Sequence, residues 1–371
     1  MTERDITPTR IKEARISKAM SRQDLAVQIG LTCQAINQYE NGVRSPSCDV
    51  LNALSHELEV PLAFFTTAKR KEIQNRGPLF FRALKTIRSE KHKARYEVLT
   101  KWLVEIREWL EDSIDFPALS LPENEAKQSN TQEEIEARAA VLRKHWGLGN
   151  GPIRKLTALI ESSGITVFKI DTDDIATDAF SGYLDGKPYI FANRCKNDVA
   201  RSRFDLAHEL GHILLHSHLS SEEEIAADLA NIEHEADLFA GAFLLPQETF
   251  ALEVLDTTLS GFRRLKQRWG VSVQAMIMRS WQLNIINEHR KTELYRQLSA
   301  KGWRKNEPDS EFIEKDDSSV CKKAFDLLIE HDAFMFDRLH DDQQIPRYLL
   351  ADTFGIENNK IEFRPKLRLS V

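Results

Sequence analysis

The segment His208-Glu209-Leu210-Gly211-His212 constrains this 371-residue chain more than any other. Histidines four apart on a helix project from one face and can reach a common metal ion. Glu209 lies beside that face, within reach of a metal-bound water. Two neutral imidazoles holding Zn²⁺ and a carboxylate that takes a proton from water are the parts needed for metal-assisted peptide hydrolysis. A helix with this task must be buried, and Phe204, Leu206, Ala207, Leu210, Leu214 and Leu215 supply the apolar surface.

Zinc in such a site needs a third protein ligand and one position left for water. His218 follows His212 at the spacing of a known zinc-protease pattern, but that pattern needs a turn-forming glycine where this chain has Leu215. His216 shares the helix face, yet three histidines at successive turns span about 12 Å along the axis, too far for one ion. The remaining source is a second helix carrying His234-Glu235-Ala236-Asp237-Leu238-Phe239-Ala240. Glu235 is the expected third ligand, with Glu233 as the fallback. The small residues Ala236, Ala240, Gly241 and Ala242 allow that helix to pack closely.

Composition narrows the class. The net charge is −6 and 42% of residues are hydrophobic, with no apolar run long enough to span a bilayer. The polar N-terminus lacks the apolar stretch of a secretory signal. Four cysteines (Cys33, Cys48, Cys195, Cys321) form no CxxC pair, so neither a disulfide framework nor a thiolate zinc site is indicated. The expectation is a cytoplasmic, reduced protein without membrane contact.

Four regions are expected, giving a mainly α fold with a small β-sheet (α+β). Residues 1–68 read as a compact all-α unit, and 69–131 as a basic helical connector and linker. Between 69 and 110 stand twelve Lys/Arg against five Glu, and Leu99, Leu103, Ile106 and Leu110 keep helical spacing. Residues 132–262 form the domain of the HELGH segment. It is expected to contain helices over 132–147, 152–163, 196–216 and 229–244, a strand over 164–170, and a hairpin of 180–184 and 189–192 turning at Asp185-Gly186. Residues 263–371 are expected to be a helical region with a charged tail, including one helix over 317–339 and a weak strand near 360–369.

In the first unit, Ser21 caps a helix, Ala26 is small where two helices cross and Gly30 makes the turn into a second helix. Thr32, Cys33, Gln34, Asn37 and Gln38 would face a DNA major groove, with Gln23 bracing Gln34 and touching phosphate. Residues 1–65 hold seven Lys/Arg against eight Asp/Glu, so the unit lacks the positive field that dominates DNA affinity. The basic block at 69–110 would supply it, or is simply a solvated helix face. Trp102, Trp109, Phe80 and Phe81 at helical spacing read as core rather than as a base-stacking platform.

The stretch from Ser21 to Gly42, closing on Tyr39-Glu40-Asn41-Gly42 with Arg44-Ser45-Pro46, resembles the XRE (lambda-repressor-like) family over about 8–65. Residues 203–216 and 234–246, with Trp146-Gly147 to Ile153, Arg268-Trp269 to Ala275 and Gly302-Trp303 to Pro308, resemble the ImmA/IrrE family of zinc metallopeptidases. That resemblance implies a gluzincin-like fold, zinc held by His208, His212 and Glu235, and Glu209 as general base and later general acid. It also implies cleavage of helix-turn-helix repressors under stress. Tyr183, Arg203 and His234 remain open as the group that stabilises the oxyanion, and Asp237 as a carboxylate orienting a zinc-bound imidazole. The expected partners are DNA, a repressor-type protein substrate and a second copy of the chain as a homodimer. The competing expectation is a non-proteolytic transcriptional regulator whose zinc domain is a sensor or scaffold.

Overall fold

The computed structural model describes residues 6–66, 90–123, 130–170, 179–194, 198–219, 227–304, 306–316, 319–332 and 335–356. The expectations for residues 67–89, Phe80 and Phe81 among them, for Cys195, and for the strand near 360–369 lie outside these residues. Helices dominate, with one small three-stranded sheet, as the sequence indicates. No helix among the described residues is long and apolar enough to cross a membrane.

The chain divides into two compact units. The first begins with α1 (Pro8–Ser17), α2 (Arg22–Gln28), α3 (Cys33–Glu40) and α4 (Cys48–Leu58), then a 3-10 turn at Leu62–Thr66. Local chemistry sets these boundaries. Ser21 and Asp24 form a reciprocal capping box at the start of α2, and Thr32 and Ser47 cap α3 and α4 through their hydroxyls. Gly30, at φ +68°, turns the chain between α2 and α3. Ile11, Leu25, Ala26, Ile36, Leu54 and Phe65 are fully buried beneath them. Glu40 is buried among charges. It accepts from Arg15 at 2.5 and 3.1 Å and from Arg22 at 2.6 Å, tying α1, α2 and α3 together. The long helix α5 (Glu90–Glu111) packs along α1. Its Trp102 is fully buried, edge-on to Phe64 and donating to Glu13 at 2.7 Å, which makes it core.

The second unit holds α6 (Gln132–His145), α7 (Leu156–Ser162), β1 (Thr166–Ile170), β2 (Ala179–Leu184), β3 (Lys187–Asn193), α8 (Val199–Leu215) and α9 (Leu229–Leu244). It continues through α10 (Gln247–Glu253), α11 (Leu259–Trp269), α12 (Val273–Gln282) and α13 (Glu288–Ala300). β3 is central, parallel to β1 and antiparallel to β2. Asp185 and Gly186 both have positive φ, the requirement of a tight primed hairpin turn. α8 packs against β2 and β3 on one side and α9 on the other, and α9 continues to α6. One apolar core runs from Ile135 through Phe239, Phe262 and Trp269 to Leu298. The expected boundary at 262 is therefore absent, because α11 to α13 fill the same core as the HELGH helix. Trp269 meets Phe250 edge-on in this core.

The chain then returns to the first unit as α14 (Val320–His331), α15 (Met335–Gln343) and α16 (Arg347–Phe354), whose residues from 321 on belong with α1 to α5. Two helices thus replace the single one expected over 317–339. Phe325 lies 3.9 Å from Phe354 and 6.1 Å from Phe336, ring centre to ring centre. On one straight helix, residues 325 and 336 would stand about 16 Å apart, so this aromatic cluster requires the chain to fold back.

Removing a partner from a buried charge network leaves the opposite charges uncompensated, at a cost of about 3–5 kcal/mol. Glu40→Ala should therefore lower the stability of the first unit by about 3 kcal/mol, half-exposed Arg22 retaining some solvent compensation. Urea unfolding followed by circular dichroism checks this. An unchanged midpoint would show that the network is not stabilising.

Candidate metal centre

Asp198 caps α8, its side chain accepting from the backbone N–H groups of Ala200 and Arg201 at 3.0 and 3.3 Å. From that start the helix runs about two and a half turns to the HELGH segment, where His208, Glu209 and His212 are each 1% exposed. The Nε2 atoms of His208 and His212 lie 3.0 Å apart. Each of the three residues offers a ligand atom within 4.8 Å of the others, the one such His/Cys/Asp/Glu group among the described residues.

The close approach of α9 completes the arrangement, and Gly211 permits it. A Cβ added there would meet Phe239 Cδ1 at 3.0 Å and the Cα of Ala236 at 3.4 Å. With hydrogen alone at that position, α9 brings Glu233 to the two imidazoles. Its carboxylate oxygens lie 3.4 Å from His208 Nε2 and 3.7 Å from His212 Nε2. Tetrahedral zinc with bonds of about 2.0–2.1 Å separates neighbouring ligand atoms by about 3.3–3.4 Å. The Nε2–Nε2 separation of 3.0 Å lies close to that value, and Glu233 turns Oε2 toward His208 and Oε1 toward His212, so the two imidazoles and this carboxylate could hold such an ion.

The expected third ligand, Glu235, points elsewhere. Its carboxylate accepts from the backbone N–H of Asn130 at 2.8 Å, from Asn130 Nδ2 at 2.6 Å and from Asn231 Nδ2 at 3.0 Å, and faces His216 Nε2 at 3.2 Å. Two residues along a helix rotate the side chain by about 200°, so Glu233 and Glu235 cannot face one target. Of the two carboxylates, the fallback Glu233 is the one that faces the Nε2 pair. Asp237, four residues beyond Glu233 and on its face, has Oδ1 2.8 Å from His208 Nδ1. His216 is not beside the Nε2 pair. Its Nδ1 lies 3.1 Å from Nδ1 of His212, on the far edge of that ring.

Electrostatics favour positive charge here. Burial works against a charged His208 ring, but hydrogen bonds to Asp237 and Glu233, with the charges of Glu209 and Asp237, prevail and push it up to about 10. Acidic surroundings that hold a proton this firmly also favour a metal cation at the same nitrogens. Glu235 is pulled down to about 2: burial opposes its charge, but the hydrogen bonds from His216 and Asn130 outweigh it.

Ser181 of β2 was not singled out from sequence. Its hydroxyl donates to Glu209 Oε2 at 2.7 Å and is fully buried. The only signal was a small polar residue inside an otherwise apolar strand facing the site helix. Tyr183, two residues on, shares the strand face of Ser181, and burial pushes its phenol up. Arg203, by contrast, donates to the carbonyls of Ile153 and of Arg154, holding that loop, and His234 is exposed. Of the three candidates for oxyanion stabilisation, Tyr183 shares its strand with Ser181, which touches Glu209.

In the first unit, Gln23, Thr32, Gln34 and Asn37 are exposed, while Cys33 and Gln38 are half-buried. Thr32 spends its hydroxyl as acceptor for Ala35 N–H, and Asn37 Oδ1 accepts from Asn41 at 3.0 Å. Gln34 and Asn37 lie three apart on α3 and therefore share its outer face.

Residues 160–280 match the family described as IrrE N-terminal-like domain, and residues 11–65 match a helix-turn-helix family. Comparison with curated proteins gave no match. Among solved structures, the crystal structure of ComR from S. thermophilus in complex with DNA and its signalling peptide ComS aligns at 13% identity. The alignment covers 93% of this chain and 99% of that one with a TM-score of 0.17, too low to relate the two folds.

Gly211→Ala tests the helix contact. Alanine improves helix propensity by about 1 kcal/mol, but overpacking against Phe239 costs about 1–3 kcal/mol. A net loss of about 1 kcal/mol is expected in thermal unfolding. Stabilisation instead would mean that α8 and α9 are not in forced contact.

Proposed function

We propose that this chain, which joins an XRE-type helix-turn-helix domain at 11–65 to an IrrE-like peptidase-family domain at 160–280, is a DNA-binding regulator with zinc-dependent endopeptidase activity. The observation that carries the reading is the meeting of the buried His208 Nε2 and His212 Nε2 with the half-buried Glu233, beside Glu209. His208, His212 and Glu233 would hold zinc. Bound there, zinc supplies Lewis acidity, lowering the pKa of water and polarising a peptide carbonyl. Glu209 takes the proton of the attacking water and returns it to the leaving amine. Ser181 fixes Glu209 Oε2 in one orientation for both transfers. Asp237 holds His208 by Nδ1, which keeps its Nε2 directed inward. Tyr183 is the group assigned to the developing oxyanion.

Among the described residues β2 is an edge strand of the sheet and packs on the site helix. An extended substrate segment adding beside β2 would approach Glu209 by strand addition. The substrate class this reading favours is a helix-turn-helix repressor, cut to relieve repression in a stress or mobile-element response. The fused N-terminal domain raises the peptidase's local concentration near a DNA-bound substrate, with the exposed Gln23, Thr32, Gln34 and Asn37 and the half-buried Cys33 and Gln38 as the DNA-facing set.

The second reading is a regulator whose zinc domain only senses or scaffolds. The Ser181–Glu209 contact weighs against it, because a purely structural zinc site has no use for an oriented carboxylate outside the ligand set.

Glu209→Gln should keep one zinc per chain and lower cleavage of a partner repressor about 10²- to 10⁴-fold, whereas His208→Ala and Glu233→Ala should lose both. Metal analysis and a gel-based cleavage assay check this. Undiminished cleavage by Glu209→Gln would sink the enzymatic reading. For the first domain, Gln34→Ala or Asn37→Ala should weaken binding to the DNA upstream of the chain's own gene by about 1–3 kcal/mol, with zinc content unchanged. If fluorescence anisotropy shows no change in either, the domain serves protein contact instead.

A further inference from the structure

Resting on the metal site proposed above, we infer that Glu235 and His216 form a relay that sets the tautomer of His212 and so keeps its Nε2 available to the metal. Both are positioning residues, and the deduction needs only donor and acceptor counting. Glu235 is held as an acceptor by two donors of Asn130 and one of Asn231. A carboxylate in that state cannot donate, so the proton between it and His216 sits on His216 Nε2, 3.2 Å away. In a neutral imidazole the other nitrogen is then a bare acceptor. The Nδ1 of His216 faces the Nδ1 of His212 at 3.1 Å, and two bare nitrogens approach so closely only across a shared cation, which the proposed site places at the Nε2 pair and not here. The proton between them therefore belongs to His212 Nδ1. That leaves the lone pair of His212 on Nε2, where it meets His208 Nε2 and Glu233.

His208 reaches the same tautomer directly, through Asp237 on its Nδ1. The two imidazoles thus have unlike supports: one has an exposed-side carboxylate in contact, the other a buried histidine with a carboxylate behind it. His216 is 3% exposed and Glu235 2%, so solvent cannot replace either link. The relay also gives α6 a part in the site, because Asn130 directly precedes Thr131, the N-cap of that helix.

The relay is tested on the full chain by zinc competition against a chromophoric chelator, together with the visible spectrum of the Co²⁺ form. His216→Leu removes the acceptor for His212 Nδ1 and should weaken zinc binding about 10- to 100-fold, as loss of groups that orient ligands does. His216→Gln restores an acceptor oxygen at that place and should recover affinity to within a few-fold and restore the parent Co²⁺ spectrum, a rescue that a packing role would not produce. Glu235→Gln, which keeps shape but weakens the hold on His216, should fall between parent and His216→Leu, and it serves as the second arm should His216→Leu fail to fold. Parent affinity in both His216→Leu and Glu235→Gln, or failure of His216→Gln to rescue, overturns the relay alone. A parent chain that binds no zinc overturns the metal site and the relay together.

Discussion

The contact between α8 and α9 at Gly211 is the constraint on which the second unit depends. Helix α8 carries His208, Glu209 and His212, but by itself presents only imidazoles and one carboxylate in a row. The carboxylates of Glu233 and Asp237 come from α9, and their approach is allowed because nothing larger than hydrogen separates Gly211 from Phe239 and Ala236. Close packing thus replaces a loop or a third strand as the means of assembling the centre. It also sets the half-buried carboxylates of Glu233 and Asp237 against two fully buried imidazoles.

The sheet and the polar supports form a second layer around this contact. β2 holds Glu209 through Ser181, and the α6 N-terminus holds Glu235 through Asn130. His208 likewise has its partner Asp237 on α9, whereas His212 meets His216 at the end of its own helix. Moving β2 or the start of α6 would leave a buried polar group unsatisfied, a larger penalty than the loss of one hydrogen bond between exposed groups.

Much of this was legible in the sequence, and the part that was not has a physical reason. His208 and His212 declare themselves because their relation is local, fixed by helix geometry alone. The span of α9 and the hairpin at Asp185-Gly186 were likewise written in capping, proline and turn chemistry. Choosing between Glu233 and Glu235 required the rotation of α9 about its own axis relative to α8, and a connection of more than a dozen residues carries no such information. One trace existed: Glu233 and Asp237 are four apart, as are His208 and His212, so two equal spacings can face each other. Glu235 has no acidic residue at that spacing. The division of the chain was missed for a similar reason. Trp269, Ile277 and Leu298 look like any amphipathic helices until the core they fill is seen, and Phe325 finds Phe336 and Phe354 only after the chain folds back.

That return gives the order of synthesis a meaning. Helices α1 to α4 leave the ribosome first, yet the unit that contains them is not complete until residues 321–356 emerge. The intervening unit, whose described residues lie within 116–320, has these parts in hand earlier and can fold as a nascent domain while its flanking partner still waits. The helix-turn-helix unit is thereby the last to be finished, its closing contacts spanning most of the chain, with the slow loop closure such separation entails. A chain released early would carry a finished second unit and an unfinished first one.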